Sequence, residues 1–388
     1  GGPGAPLTLP SSERNAMPPT SPELPGSALS SHRPRLTFRA AAALGALALT
    51  LTLAGCGGGA TPGTGEEAPE RRFLSIGTAP AGGAFFVVGG ALAEVANQFG
   101  SDLGWEVTAE ATQGSQENIR RLSAGELDFA MSNAAITYFA VRGESSWDEA
   151  HDVRAVMTLA PNVALFVTQQ GSGVESLADL AGTRTVVGPA GAGFEMFVGP
   201  ILEAHGVSYE DFTPLNATQA GAVDLLADGS ASAAFLGGAV PTASISQASA
   251  SMDLLFVPFD PAIREGLVTD YPFFFPATIP AETYRNQAEP FEGLNVGSMH
   301  LITGAQVDEE VVYQMTRLIY EQRAEVVARH PAGRAIQDQN IVRQTGTPFH
   351  PGAERFYREI GIWPDAAAAA EEAAAPEEGA EGEGEAQG

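Results

Sequence analysis

Residues 73–99 read FLSIGTAPAGGAFFVVGGALAEVANQF, and this stretch decides the fold class. The apolar run at 73–77 is typical of a short strand, and the adjacent glycines Gly82 and Gly83 follow it. Beyond them, apolar residues recur at the spacing of one helix face, namely Val88, Leu92, Val95 and Phe99. The stretch therefore predicts a strand, a glycine-rich turn and a helix, which is the repeating unit of α/β proteins.

The same alternation continues along the chain. Further strands are predicted, with helices between them, at 105–111, 127–132, 153–160, 163–168, 185–188, 231–236, 254–257 and 296–303. Asp308 is predicted to cap a helix that runs to Arg329, with glutamates in its first turn. This order predicts an α/β fold with largely parallel sheets.

Composition excludes several classes of function. The chain has 388 residues and a formal net charge of −27, and all 20 of its basic residues are arginines. Without lysine it has no Walker A loop and no Schiff-base chemistry, and so acidic a chain is a poor nucleic-acid binder. The six histidines are scattered and lie in no catalytic or zinc-binding motif. We therefore expect no enzyme activity, no catalytic residues, no cofactor and no metal.

The N-terminal segment carries the only cysteine, Cys56. Three arginines between residues 33 and 39 precede an apolar run at 40–53, which is the pattern of a secretory signal. An uncleaved anchor helix is the alternative. Residues 53–56, Leu-Ala-Gly-Cys, resemble the bacterial lipobox, which implies that the cysteine is lipid-modified. We expect an extracytoplasmic protein, in the periplasm or on the outer face of the cytoplasmic membrane, held by its lipid.

Composition also divides the chain. Residues 1–55 are interpreted as an N-terminal extension and lipoprotein signal peptide, and residues 56–72, rich in Gly, Pro and Glu, as a lipidated flexible tether. Residues 73–364 form the predicted globular domain. Residues 365–388 are a low-complexity acidic tail that we expect to be disordered.

Three short segments share one design, in which a strand leads through small residues into a helix. They lie at 77–84, 112–115 and 188–193. Glycine lets a ligand approach the backbone, and a helix N-terminus offers free N–H groups to a carboxylate or phosphate. Tight turns without a ligand are the alternative. Together the three segments predict a binding cleft between two lobes.

Other candidates are interpreted as structural. His205 is predicted to cap a helix end, and His350 to begin a helix that runs to Gly361. Glu195 is interpreted as a buried polar bridge in preference to a ligand contact. The aromatic residues at 273–275 are interpreted as core or lobe packing.

Residues 73–364 resemble the TAXI-type solute-binding proteins, which are the extracytoplasmic subunits of TRAP transporters. The stretches that carry the resemblance are 76–90, 111–118, 122–131, 188–195, 278–284 and 350–361. The resemblance implies a periplasmic-binding-protein type II fold with a ligand cleft between two α/β lobes. Lobe 1 would comprise about 73–162 plus 296–364 and lobe 2 about 163–295, with crossings near 161–165 and 293–298.

The resemblance also implies a function: capture of a small organic anion, such as glutamate or a dicarboxylate, and its delivery to TRAP membrane permease subunits. It places ligand contacts at Gly77, Thr78, Gly82, Gly83, Phe85, Thr112, Gly114, Ser115, Asn133, Gly191, Gly193 and Phe194. At Phe85, Ala192 and Phe194 this chain lacks hydroxyls that the family usually carries, which favours a ligand more apolar than glutamate. A sensor that reports occupancy to a membrane signalling partner is the alternative function.

Overall fold

The computed structural model of the protein describes residues 71–81 and 83–364. The predicted lipid site Cys56, residues 1–70, Gly82 and the acidic tail at 365–388 lie outside them. Within the described residues, no helix is both long enough and apolar enough to cross a membrane.

Strands and helices alternate along the first half of the described chain, and the bounds of all the strands and α-helices in the described residues are as follows. The strands are β1 (Arg72–Gly77), β2 (Trp105–Glu110), β3 (Phe129–Asn133), β4 (Val153–Thr158), β5 (Val163–Gln169), β6 (Arg184–Val186), β7 (Thr213–Leu215), β8 (Ala233–Gly238), β9 (Leu254–Val257), β10 (Phe274–Ile279), β11 (Phe291–Val296) and β12 (Met299–Gly304). The helices are α1 (Ala84–Phe99), α2 (Ser115–Ser123), α3 (Ala134–Ala140), α4 (Glu195–Ala204), α5 (Gln219–Ala227), α6 (Ala243–Ser251), α7 (Pro261–Asp270), α8 (Glu309–Glu321), α9 (Arg323–Arg329), α10 (Asp338–Ile341) and α11 (Pro351–Glu359).

The first sheet has five strands in the order β2-β1-β3-β12-β4. Strand β1 pairs in parallel with β2 and β3, as the strand–turn–helix pattern predicts. Strand β12 enters from the far end of the chain and pairs antiparallel with β3 and β4. The first lobe is therefore built from two separate parts of the sequence.

The second sheet runs β10-β11-β5-β8-β6-β7, with β9 also paired to β5. Only the β6–β7 and β6–β8 pairs are parallel, and the pairs that involve β5 and β10 are antiparallel. The prediction of largely parallel sheets is wrong for this lobe. Parallel neighbours are usually joined by a crossover helix, whereas residues 280–290 join β10 to β11 without a helix and the two strands pair antiparallel.

The predicted α/β class with two lobes is confirmed. The first sheet draws on residues 72–158 and 299–304, and the second on residues 163–296. The chain therefore passes between the sheets twice, once after β4 and once between β11 and β12. Two neighbouring crossings are the arrangement that hinges in two-lobed proteins have, since a few residues between rigid elements can absorb a change in backbone angles. We call this pair of crossings the hinge.

Two boundaries differ from the prediction. The predicted strand at 296–303 is divided at Gly297, which has a φ of 104°, a left-handed value that favours glycine. The predicted helix to Arg329 is divided at Gln322 into α8 and α9. Its start is confirmed, since the Asp308 side chain accepts a hydrogen bond from Val311 N at 3.2 Å.

Helix α3 packs against the second lobe as well as its own sheet. The rings of Tyr138 and Phe139 lie 5.0 Å and 5.6 Å from that of Phe273, centroid to centroid. Phe273 and Phe274 are buried, which confirms their predicted packing role. The two lobes therefore share part of one apolar core beside the crossings.

Candidate ligand cleft

The three predicted loops follow the carboxyl ends of β1, β2 and β6 and lead into α1, α2 and α4. In open α/β sheets, ligands bind at this edge, outside the carboxyl ends of the strands. The first two loops belong to the first lobe and the third belongs to the second lobe. The predicted cleft residues thus come from both sides of the two crossings.

Thr78 and Thr112 fasten the first two loops to each other. The backbone N–H and the hydroxyl of Thr78 both donate to Glu110 O, at 2.9 and 2.7 Å. The hydroxyl of Thr112 donates to Thr78 O at 3.1 Å and accepts from Gly114 N at 3.1 Å. Both threonines are buried, so their hydroxyls already serve the scaffold of the cleft.

Packing explains why glycine stands at position 77, one of the predicted contact positions in the first loop. A Cβ on Gly77 would lie 2.5 Å from Leu127 Cδ1 and 2.7 Å from Asn118 Oδ1. The Asn118 amide donates to Thr78 O and to Met131 O, which ties α2 to the first loop and to the middle of β3. Gly77 is therefore required by its neighbours in the first lobe, whether or not a ligand is present.

The remaining first-loop positions lie at the start of α1. Gly83 immediately precedes the helix, and its N–H donates to Pro80 O at 3.1 Å. Phe85 is half-buried and packs against the core of the first lobe.

Asn133 joins the cleft to a crossing. Its backbone N–H donates to the Ser115 hydroxyl at 3.0 Å, at the start of α2. Its side-chain amide donates to Val296 O at 3.2 Å and Gly297 O at 2.9 Å, and its side-chain oxygen caps α3. With 2% exposure it is held from every side. Asn133 therefore bonds to the second loop through its backbone and to the second crossing through its side chain, and its contact with a ligand stays a prediction.

A second polar group ties the two crossings together. Asn295 accepts a hydrogen bond from Asn162 N at 3.0 Å, and its amide donates to the Ser298 hydroxyl at 2.9 Å. Val296 N donates back to Asn162 O at 2.9 Å. All three polar side chains are buried, so the crossings are joined to each other by specific bonds. Sequence reasoning missed these residues because no motif marks them.

The third loop meets the N-terminal end of α2 across the cleft. A Cβ on Gly193 would lie 2.9 Å from Gln116 Cγ, and a Cβ on Gly114 would lie 3.9 Å from the Ala192 Cβ. The Gln116 amide nitrogen also donates to a Glu195 carboxylate oxygen at 3.3 Å. Glu195 does form a polar bridge, as predicted, but its side chain is exposed rather than buried.

The two remaining third-loop positions differ in their surroundings. Phe194 is half-buried in the second lobe, with its ring 5.1 Å from that of Phe197 and 5.9 Å from that of Phe235. Gly191 is exposed, and a Cβ placed on it would meet nothing within 4 Å. Phe194 therefore supplies an apolar wall, whereas Gly191 lies at the open rim of the loop.

The cleft brings two helix N-termini together. Helices α2 and α4 each begin at the contact between the lobes. In the first turn of α4, the N–H groups of Met196 and Phe197 donate to Gly193 O and Phe194 O of the third loop, at 3.1 and 3.2 Å. Other N–H groups in the first turn of a helix have no partner inside the helix. Such groups can hold a carboxylate without a basic side chain. Among the described residues, no group of three or more His, Cys, Asp or Glu side chains is arranged to hold a metal ion.

Three histidines have structural partners. His350 accepts from Gly352 N at 3.2 Å and caps α11, and His205 Nδ1 lies 2.7 Å from Ile201 O at the end of α4, so both predicted roles are confirmed. His300 on β12 is fully buried, and burial lowers its pKa to about 3. Its Nε2 lies 3.0 Å from the Thr345 hydroxyl.

Solved structures of three other proteins are similar to this chain. The periplasmic aliphatic sulphonate binding protein SsuA of Escherichia coli aligns with 79% of this chain and 91% of its own, at 14% identity and a TM-score of 0.41. PhnD1 of Prochlorococcus marinus in complex with methylphosphonate aligns with 74% and 95%, at 11% identity and a TM-score of 0.48. An ancestral arginine-binding protein bound to arginine aligns with 70% and 98%, at 16% identity and a TM-score of 0.42.

The chain's own architecture defines it as a two-lobed α/β protein. Two crossings join the lobes, and the predicted loops meet between them. Because the identities and TM-scores above are low, the fold assignment rests on the strand order. The family is shown by sequence. Residues 76–361 match the NMT1-like family, and the chain belongs to that family.

Proposed function

We propose that this protein is an extracytoplasmic solute-binding receptor of the TAXI type. It captures a small organic anion, carboxylate- or amino-acid-like, between its lobes and delivers it to TRAP membrane permease subunits. It has no catalytic role in this scheme. The TAXI assignment rests on the stretches at 76–90, 111–118 and 188–195, which fall on the three loops of the cleft.

The meeting of α2 and α4 across the cleft carries the proposal. The two helix starts come from different lobes, and their contact includes the Gln116–Glu195 hydrogen bond at 3.3 Å. A solute that bonds to both helix starts gains its full set of contacts only when the lobes are closed. Differential affinity of that kind shifts the open–closed equilibrium toward the closed state.

The chemistry of the cleft favours a particular anion. Backbone N–H groups at the helix starts suit a carboxylate, whereas Phe85 and Phe194 stand where the family usually has hydroxyls. A polar solute group left there without a partner would cost about 1–3 kcal/mol. We therefore expect a solute with one anionic end and a body more apolar than glutamate.

The first experiment identifies what the protein retains. Native mass spectrometry of the chain purified without refolding is expected to show a bound acid of low mass. Calorimetric titration then compares glutamate with longer monocarboxylates, and we expect the monocarboxylates to bind more tightly. Clear preference for glutamate would refute the apolar-body proposal. Chemical conversion of a bound solute by the purified protein, measured as turnover, would refute the receptor proposal itself.

The lipid anchor at Cys56 belongs to the same proposal. A lipid followed by the segment 57–72 would keep the domain beside its membrane partner and raise its effective concentration there. Cys56→Ser is expected to move the protein from the membrane fraction to the soluble extracytoplasmic fraction and to leave solute affinity unchanged. The wild-type protein, fractionated in parallel, is the control. A variant that remains in the membrane fraction would contradict the anchor.

A further inference from the structure

A cavity of about 210 Å³ lies beside the third loop, at the carboxyl ends of β6 and β7. Its walls include the apolar residues Val187, Phe194 and Pro214, and its polar lining includes Glu195 and Tyr209. It therefore borders the contact between α2 and α4 but extends into the second lobe. None of the residues that the resemblance assigns to the first two loops lines it.

Tyr209 lines this cavity and carries a hydroxyl that makes no hydrogen bond to the described residues. Its hydroxyl oxygen is buried and has no hydrogen-bond partner among the residues that the structure describes. Burial, and secondarily the charge of Glu195, raise the pKa of this phenol, so the hydroxyl keeps its proton. Buried polar groups in proteins are almost always hydrogen-bonded. A partner from a bound molecule would meet that requirement.

Glu195 gives the cavity its charge. The carboxylate is exposed at the first residue of α4, and one of its oxygens accepts from the Gln116 amide nitrogen at 3.3 Å. No arginine is among the residues that line the cavity. A second anionic group on the solute would therefore be repelled here, and a cationic group would be attracted.

We propose that the cavity bounded by Glu195 and Tyr209 holds the end of the solute opposite its carboxylate, and that this end bears an ammonium or amide N–H group. Glu195 accepts from that group, Tyr209 supplies the second hydrogen bond, and Phe194 packs against the adjacent carbon chain. This inference rests on the proposed receptor function and sharpens its ligand class. It excludes symmetrical dicarboxylates and favours ω-amino or ω-amido acids.

Three probes of equal chain length test the inference by calorimetric titration of the full protein. They are pentanoate, 5-aminopentanoate and glutarate, which differ only in the far end. We expect 5-aminopentanoate to bind on the order of tenfold more tightly than pentanoate, since hydrogen bonds to charged groups are the strong ones. Glutarate is expected to bind most weakly of the three.

Substitutions assign the effect to the cavity. Glu195→Gln is expected to abolish the advantage of 5-aminopentanoate over pentanoate, and Tyr209→Phe to reduce it severalfold. Glu203→Gln is the matched control, because it removes the same charge from an exposed position of the same helix outside the cavity. This control is expected to keep the wild-type ratio.

The outcomes separate the two proposals. Any of three results would overturn the cavity assignment. Glutarate could bind as tightly as 5-aminopentanoate, the ratio of the 5-aminopentanoate and pentanoate affinities could be unchanged in Glu195→Gln, or none of the probes could bind. The receptor proposal is tested independently by the molecule that native mass spectrometry finds retained. A retained carboxylic acid without an N–H group would support the receptor and overturn the cavity assignment.

Discussion

Replacing Asn133 by alanine is expected to weaken the protein more than the loss of a helix cap explains. The side-chain oxygen of Asn133 accepts from Ala135 N at 2.8 Å and caps α3. Its amide nitrogen donates to the carbonyls of Val296 and Gly297 at the second crossing. Alanine removes both functions at once, whereas an ordinary N-cap has only the first.

The magnitude follows from these bonds. Loss of an N-cap costs ~1 kcal/mol, and each intramolecular hydrogen bond contributes a net of about 1 kcal/mol. Asn133→Ala is therefore expected to lower the free energy of unfolding by about 3 kcal/mol. Asp308→Ala is the matched control, because Asp308 caps α8 in the same lobe and is bonded there to Val311 N. Its expected loss is ~1 kcal/mol.

The assay is urea unfolding followed by far-ultraviolet circular dichroism, with both variants and the wild type under identical conditions. Small-angle scattering of the solute-free proteins adds a readout of lobe separation, which Asn133→Ala should change and Asp308→Ala should not. Equal losses of stability in the two variants, with identical scattering, would refute the link between the cap and the crossing.

Two further outcomes are expected. Gly193→Ala should lower affinity for any cleft solute by at least about tenfold in calorimetric titration, because its Cβ would lie 2.9 Å from Gln116 Cγ. Gly191→Ala is the control, since Gly191 also has a positive φ but a Cβ there would have no neighbour within 4 Å. The comparison separates the effect of backbone strain from that of the clash. His300 is neutral in the folded protein at pH values between about 3 and 6.5 but binds a proton when unfolded, so stability should fall by about 1.4 kcal/mol for each pH unit below 6.5. A His300→Gln variant with an undiminished slope in unfolding measured across this range would contradict that assignment.

Local signals in the sequence predicted much of the fold. The strand–glycine–helix pattern of 73–99 is realised in β1 and α1, and the cap residues Asp308 and His350 begin α8 and α11 as expected. These features depend on neighbours within a few residues, so the local sequence pattern is sufficient to predict them. The local pattern does not predict the need for glycine at 297, because the atoms that a Cβ there would meet belong to Asn133 and Ala135, far away in the chain.

The site was less predictable for a related reason. Thr78, Thr112 and Asn133 are polar residues at loop ends, a position that ligand contacts and scaffold bonds share. Their hydrogen bonds within the chain could be assigned only once the strands were placed side by side. Tyr209 lies in no motif, and only the folded chain places it in the lining of the cavity beside the third loop.

The bonds around the cleft suggest how binding and hinge motion are coupled. The start of α2 contacts the third loop through Gln116, and one residue earlier the Ser115 hydroxyl holds the backbone of Asn133. Asn133 in turn holds the second crossing at Gly297. A solute seated at the start of α2 therefore acts on a segment bonded directly to the hinge. Coupling of this kind requires no long pathway, because the second loop and the second crossing are bonded to the same buried residue, Asn133.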